Sequence, residues 1–440
     1  MPGAEAAALP RVAVIGSGIA GLAAAWRLRG VARVTLFEAG QHFGGHAHTV
    51  DVELEGQRVP VDTGFLVLNP RTYPGLLGLF AELGIELAPA EMSFSVQGRL
   101  PGGRRLEWAG SNLDSVFAQR ANTLRPGFWR MLRDILRFNR EATALALAPL
   151  DEVASQPSVG DFLRDGGYSE EFREGYFLPM AACIWSCPTA LMLEFPMRSM
   201  ARFCHNHALL QWSSRPQWLT VRGGSRRYVR RVLDGVADKR LRTPVRSVRR
   251  GADGVELVLD GSTERFDHAV LACHSDQALA LLEQPSRIER DVLSAIGYQR
   301  NRAVLHVDEA MLPRARRAWA AWNYESAPGA QGDREVCVHY LINRLQPLPL
   351  RGSVIVSLNP LREPAAHSVL REIDYAHPVF DAAAIAAQAR VPQLQGHGNT
   401  WYCGAWCGYG FHEDGLRAGY AAADALLQRL AQRQPWPRAA

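Results

Sequence analysis

The sequence predicts an α/β fold in which a Rossmann-like domain with a parallel sheet is interleaved with a second, α+β domain. Three observations carry that expectation. An apolar run at 12–15 leads into Gly16-Ser17-Gly18-Ile19-Ala20-Gly21, and a second apolar run at 34–37 ends on Glu38. Glycine-marked segments with the same mixture of strand and helix patterns stand at 221–259 and 401–419. Between them lie two long insertions, one of mostly helical periodicity and one with strand-like runs.

The first segment reads as strand, glycine turn, helix, strand and acid in one unit. Four apolar residues make a buried parallel strand, Gly16 permits the tight turn, Gly18 lets backbone approach a pyrophosphate, and Gly21 lets helix and strand pack closely. A helix over about 20–29 points its N-terminal amides and partial positive charge at the phosphates. Glu38 lies 17 residues beyond Gly21, where a carboxylate accepts both ribose hydroxyls of an adenosine and repels a 2′-phosphate. The candidate contacts here are Gly16, Ser17, Gly18, Ile19, Ala20 and Gly21, with Glu38 and Ala39 at the acidic end. Just past the acid stand Gly44, Gly45 and His46. A glycine pair there lets a loop lie against the remainder of a long, folded-over dinucleotide, which favours FAD over a nicotinamide cofactor.

This pattern resembles the flavin amine oxidase superfamily, whose Gly-Gly pair is usually followed by Arg; His46 takes that place here. The resemblance extends to two further segments. Val221-Arg222-Gly223-Gly224-Ser225 with the alternating 255–259 is similar to the middle flavin segment, in which the residue at Val245 meets the adenine. Gly404 and the run Gly408-Tyr409-Gly410-Phe411-His412-Glu413-Asp414-Gly415-Leu416 resemble the closing strand, loop and helix that support the flavin ring. The turn Asp62-Thr63-Gly64-Phe65 resembles one that lies near the flavin, which makes Gly64 and Phe65 candidate contacts. The glycine- and histidine-rich closing run resembles a bacterial branch of NAD/FAD-binding oxidoreductases, some of whose relatives are linked to membrane fatty-acid modification. The resemblance implies a glutathione reductase-like FAD domain, and noncovalent FAD, because no cysteine stands around 375–378. The expected FAD domain is discontinuous, 11–75, 216–285 and 386–430. The expected substrate domain takes 76–215 and 286–385 and includes a helical lid.

Composition narrows the function classes. At 440 residues and 47% hydrophobic content the chain can bury a large core and divide into two or three domains. Forty-nine basic residues against 44 acidic is too small an excess to mark a nucleic-acid binder, and no basic and aromatic cluster resembles a module that reads RNA or DNA. No apolar run approaches the length of about 18 residues that spans a bilayer, and residues 1–10 lack the basic start and apolar stretch of an export signal. The expected location is cytoplasmic, with peripheral contact at the inner membrane as an open alternative. Seven cysteines, an odd number, are expected to be reduced. Lys239 is the only lysine, in what reads as a surface turn. Many amine oxidases of the superfamily hold a water near flavin N5 through a lysine, so the resemblance carries no such device over to this chain.

Within the first insertion, Phe128, Met131, Leu132, Ile135 and Leu136 repeat at helical spacing between 126 and 147, while Arg130, Arg133, Arg137 and Arg140 fall largely elsewhere. Two readings stand: a core-packed lid helix with a solvated arginine face, or a helix that rests on an anionic membrane surface and admits a lipid tail. In the second insertion the runs 303–307, 336–342 and 354–358 read as strands. Val336, Val338, Tyr340 and Ile342 face one way and Cys337, His339, Leu341 and Asn343 the other, so Tyr340 or His339 is the candidate substrate contact.

Cys183, Cys187, Cys204, His205 and His207 lack zinc-knuckle spacing, so no metal is expected, and no motif nominates a hydrolytic nucleophile. Glu413 and Asp414 suit either flavin contact or the capping of a helix N-terminus. His412 is the candidate for proton exchange beside the flavin. The expectation is an FAD-dependent oxidoreductase that moves hydride from a substrate carbon to flavin N5, desaturating or dehydrogenating an apolar acyl-chain or lipid substrate. Its electron acceptor is not specified by the sequence. The alternatives are an amine oxidase, a redox-neutral isomerase, and a flavin-bound accessory subunit of a lipid-modifying enzyme.

Overall fold

A computed structural model of the chain describes residues 9–100, 103–149, 157–185, 189–211, 216–251, 253–328 and 334–433. Its organising layer is a five-stranded parallel sheet in the order Thr400–Tyr402, His268–Leu271, Arg11–Ile15, Arg33–Phe37, Asp238–Arg240. Residues 12–14 and 268–271 are buried throughout, as strands covered on both faces require. Helix Ile19–Leu28 packs against the closing helix His412–Arg433. Their backbones approach so closely that a Cβ on Gly419 would lie 2.2 Å from the Ala20 carbonyl oxygen. The sheet thus draws strands from the three glycine-marked segments, although they are hundreds of residues apart. Antiparallel strands Ser247–Gly251, Gly254–Leu259 and Ser262–Phe266 form a smaller sheet beside it.

A seven-stranded sheet runs in the order Val369–Val379, Gly297–His306, Ile355–Leu358, Arg334–Leu341, Trp322–Pro328, Phe94–Arg99, Arg105–Ala109. All its pairings are antiparallel except that of Trp322–Pro328 with Phe94–Arg99. The expectation that the first insertion is mostly helical needs correction at its start. Leu87–Ala90, Phe94–Arg99 and Arg105–Ala109 are strands, and helices follow from Leu113 to Asn206. The strand expected through Ile342 stops at Leu341, where a short helix Ile342–Leu345 begins.

The helix expected at 126–147 forms as Pro126–Leu147, with proline in its first turn, where a missing N–H costs nothing. Phe128, Met131, Ile135, Phe138 and Ala142 are buried. Leu136, counted on the apolar face from the sequence, is 57% exposed. The expected turn at Lys239 is instead the edge strand Asp238–Arg240, and the lysine Nζ donates to the Leu233 and Val236 carbonyls at 3.0 and 3.2 Å.

Candidate active site

One cavity of about 1920 Å³ runs from the first glycine turn to the floor of the seven-stranded sheet. Gly16, Ser17, Gly18, Ile19, Ala20, Glu38, Ala39, Gly45, His46, Gly64, Phe65, Val245, Gly404, Tyr340 and His412 all border it. Gly21, Gly44, Glu413, Asp414, Gly415, Leu416 and His339 stand behind that lining and act through packing or hydrogen bonds.

The glycines of the turn do different work. A Cβ on Gly21 would fall 1.9 Å from the Gly16 carbonyl oxygen, and Gly16 itself has φ +103°, so both are demanded by the chain's own backbone. A Cβ on Gly18 would meet nothing within 4 Å, and its φ is −63°. Nothing inside the protein requires glycine there; a ligand lying against the backbone would. The N-terminus of helix Ile19–Leu28 opens into the same space.

Glu38 ends its strand at the rim of the turn. Its Oε2 accepts from Ser17 N at 3.0 Å and from the Ser17 hydroxyl, and its Oε1 accepts from Gly40 N at 2.7 Å. The carboxylate therefore fixes the loop as well as bordering the cavity. Gly44 N donates to the Ser17 carbonyl and Oγ, each at 3.1 Å, and a Cβ on Gly45 would come within 3.1 Å of Gly18 Cα. The glycine pair is thus pressed onto the first turn. The turn after Asp62 is tied to the same loop by Phe65 N, which donates to the His46 carbonyl at 2.7 Å.

His46 occupies the place where the superfamily pattern has arginine. Its ring stacks on Tyr375 at 4.8 Å and lies 5.1 Å from His377. Burial, reinforced by the neighbouring His377, pushes its pKa well below the usual histidine value, so the ring is neutral. Its buried Nε2 has no hydrogen-bond partner among the described residues, and the residue borders the cavity. Open space at Gly18, this orphan nitrogen and the carboxylate at the far end together fit an extended dinucleotide.

His412 opens the closing helix, stacked on Phe65 at 3.8 Å and sharing a 3.2 Å hydrogen bond between Nε2 and the Tyr228 hydroxyl. Burial pushes its pKa down to about 3. Glu413 turns away from the cavity, accepting from Gly75 N at 3.0 Å, Leu76 N at 2.9 Å and Arg417 Nε at 2.9 Å. It caps helix Pro74–Glu82. Asp414 accepts from Phe411 N at 3.0 Å, and burial raises its carboxyl to about 6. Gly415 packs on Ile19 and Ala405, and Leu416 is fully buried. Glu413 thus serves the start of helix Pro74–Glu82, and Asp414 the start of its own helix.

The two sheet candidates separate by strand alternation. Tyr340 faces the cavity, its ring edge-on to Trp322 at 5.0 Å. His339 is a correction: it points through the opposite face, fully buried, with Nδ1 2.6 Å from Ser357 Oγ and Nε2 2.9 Å from Glu325 Oε2. Successive side chains on a strand take opposite faces, so only one of the pair can reach a substrate.

Sequence reasoning missed Tyr375 and His377, which border the cavity from strand Val369–Val379. Their i, i+2 spacing was the available signal. The Arg302 amide donates to Asn359 Oδ1 at 2.9 Å, Asn359 Nδ2 to Asn301 Oδ1 at 2.7 Å, and Asn301 Nδ2 to His377 Nδ1 at 2.7 Å. That chain begins at a backbone N–H, so every amide in it has one permitted orientation. His377 Nδ1 must accept, which leaves its proton on Nε2. Burial lowers its pKa to about 4.

Cys204 is buried with its thiol raised to about 12 by burial, while the side chains of Cys183 and Cys187 lie outside the described residues. Among the described residues no group of three or more His, Cys, Asp or Glu side chains is arranged to hold a metal.

A parallel sheet carrying a glycine turn, an acid after its second strand and a cavity continuing into an antiparallel sheet define a flavin-binding oxidoreductase architecture. Residues 19–307 match the family model of flavin-containing amine oxidoreductases, and the chain belongs to that family. Over 295 residues it is 32% identical to a carotenoid phi-ring synthase of Streptomyces griseus, an alignment covering 60% of this chain and 52% of that protein. The chain thus spans about half the length of this curated relative. Its fold is similar to that of cyclohexylamine oxidase from Brevibacterium oxydans IH-35A, with TM-score 0.69 at 16% identity over 96% of this chain and 99% of the other. A CLA-producing fatty acid isomerase from P. acnes superposes with TM-score 0.63 at 15% identity, covering 96% and 98%.

Proposed function

We propose that the protein removes hydride from a carbon of an apolar, acyl-chain or lipid substrate, leaving a double bond. The observation that carries this reading is the cavity. At about 1920 Å³ it is roughly twice the upper end of the 300–1,000 Å³ range of ordinary ligand pockets, so it has room for FAD and a second long molecule. Beyond the glycine turn its lining includes Met92, Phe94, Trp108, Met180, Phe203, Trp218 and Trp322, alongside the charged Glu91, Arg300 and Asp374. An amine substrate would bring a polar head into that space. The sole lysine is tied to helix-end carbonyls outside it. The named activities of the carotenoid ring synthase and the fatty acid isomerase also favour an apolar substrate.

Bound FAD supplies the hydride acceptor. Gly16 to Ala20 and Gly45 would hold its pyrophosphate region, Glu38, Ala39 and Val245 its adenosine end, and His46, Gly64, Phe65 and Gly404 the flavin end. Gly21, Gly44, Glu413, Asp414, Gly415 and Leu416 support those contacts from behind. Cys273 borders the cavity with its thiol raised to about 12 by burial, an inert sulfur that suits noncovalent binding.

His412 accepts the proton released from the carbon beside the one losing hydride. Burial keeps its ring neutral, so a nitrogen lone pair is available to take that proton, and makes it a weak base. His377 presents Nε2–H as a fixed donor, and Tyr340 borders the substrate side. The helices from 113 to 206 shield the reacting carbon from water.

Anaerobic mixing of the holoenzyme with membrane lipid, followed by mass analysis of the acyl chains, tests the reading. The expected product lacks one pair of hydrogens per flavin reduced. Rearranged lipid formed without net reduction would instead establish the isomerase reading, which the fatty acid isomerase fold neighbour favours. Lipid left unchanged by a flavin that amines reduce would end the lipid assignment.

A further inference from the structure

We propose that the segment from Asn112 through helix Pro126–Leu147 docks on an anionic phospholipid bilayer and presents the cavity mouth to it. The proposal takes the apolar substrate of the preceding section as its reason, and stands on separate observations. Eight large hydrophobic residues are exposed among the described residues, and five of them fall between 113 and 147: Leu113 at 77%, Leu124 at 87%, Trp129 at 52%, Leu136 at 57% and Leu147 at 66%. Single exposed leucines are ordinary on a protein surface; this concentration is not.

The residues are contiguous in space. Leu113 borders the cavity, and its carbonyl accepts from Phe117 N at 3.1 Å one turn along. Phe117 lies 5.5 Å from the Trp129 ring, whose Nε1 donates to the Thr123 carbonyl beside Leu124 at 2.8 Å. From Trp129 the outward stripe of the helix reads Trp129, Arg133, Leu136, Arg140, Ala144, Leu147 at steps of three and four, and all six are exposed. The inner apolar face is spent on the core, so the membrane reading of this helix moves to its other side.

Charge matches the occupant. Residues 104–147 hold eight arginines and four acids. Glu107 and Asp134 are buried, Asp114 pairs with Arg120 and Arg317, and Glu141 accepts from the Tyr168 hydroxyl at 2.6 Å. Arg130 is paired with Glu171, and Arg137 sits over the Tyr168 ring. Arg133 and Arg140 have no acidic partner among the described residues. Leucines and a tryptophan interleaved with arginines suit the headgroup boundary, where the apolar side chains sink and the guanidinium groups meet phosphate. A bilayer also explains why the patch adjoins the mouth: an acyl chain then passes from lipid into the cavity without crossing water.

The test is flotation of the FAD-loaded full chain with phosphatidylglycerol–phosphatidylethanolamine vesicles, read without turnover. Binding is expected, weakening as salt rises and with phosphatidylcholine alone. The L124S/L136S variant, which touches neither cavity nor packed aromatics, should lose roughly tenfold in partitioning. Each of R133Q and R140Q should lose about fivefold on anionic vesicles and little on neutral ones. Undiminished flotation of these variants overturns the proposal, as does a failure of the native protein to float. A dimer that L124S/L136S converts to monomer overturns it too, because the patch then serves a second copy. Flavin bleaching by detergent-dispersed lipid tests the substrate reading separately: bleaching without flotation sinks the docking alone, and flotation without bleaching leaves docking standing while the substrate reading falls.

Discussion

At the scale of single residues, the glycine turn separates what the backbone needs from what a ligand needs. Gly18→Leu fills open space at the mouth of the cradle, so the variant should fold, melt within a few degrees of the flavin-free native protein, and carry no flavin absorbance. Gly21→Ala drives a methyl group into the Gly16 carbonyl and should fail to accumulate as folded protein. A Gly18→Leu variant that still purifies yellow would remove the cradle from the account. His412→Gln should stay yellow and slow flavin reduction by about 10²–10⁴ in single-turnover mixing, the usual range for a lost proton-transfer group. A colourless His412 variant would mark the ring as a binding element instead. These residues were legible because glycine spacing and an acid at the end of the second strand have few other uses. His377 was not, because its role depends on an amide chain through Asn301, on strand Gly297–His306, and Asn359, just past strand Ile355–Leu358.

At the scale of elements, Asp62 joins the first and middle segments. Its carboxylate accepts from Ser225 N, the Ser225 hydroxyl, the Thr49 hydroxyl and Gln346 Nε2. Asp62→Ala strands those donors in a buried site and should cost about 3 kcal/mol or more, measured by denaturant unfolding of the flavin-free protein. Loss of under 1 kcal/mol would show that water replaces the carboxylate. Periodicity found helix Pro126–Leu147 at its observed bounds, because proline punctuates its start and the apolar spacing is regular. It missed strands Phe94–Arg99 and Arg105–Ala109, whose short runs carry Gly98, Gln97 and charged residues and acquire strand character by pairing with each other and with Trp322–Pro328. Tertiary pairing, not local preference, makes those strands.

For the whole molecule, burial of neutral imidazoles couples the fold to pH. His48, His207, His306 and His377 are pushed down to about 4 and His412 to about 3, in each case by burial. An unfolded chain binds protons at these rings near pH 6.5 and the folded chain does not, so their stabilising contribution is intact above that value and lost as pH falls towards 4. Asp62 and Asp414, raised to about 6 by burial, act in the opposite sense between about 6 and the ordinary aspartate value. The histidines outnumber them, so the melting temperature should fall steadily from pH 6.5 to pH 4. A flat or rising profile would show that these rings are not buried neutral. The two-layer plan and the shared cavity were legible from three distant segments; which face of the second sheet looks inward was not, because alternation fixes opposite faces without naming the inner one.

In the function proposed above, one cavity serves both FAD and an apolar chain. The most direct measurement of that function is the flavin absorbance of anaerobic holoenzyme titrated in parallel with detergent-dispersed phospholipid and with a short alkylamine. Bleaching by the phospholipid, stoichiometric with new double bonds, is expected, together with a flavin left oxidised by the amine. Bleaching by the amine alone would contradict it.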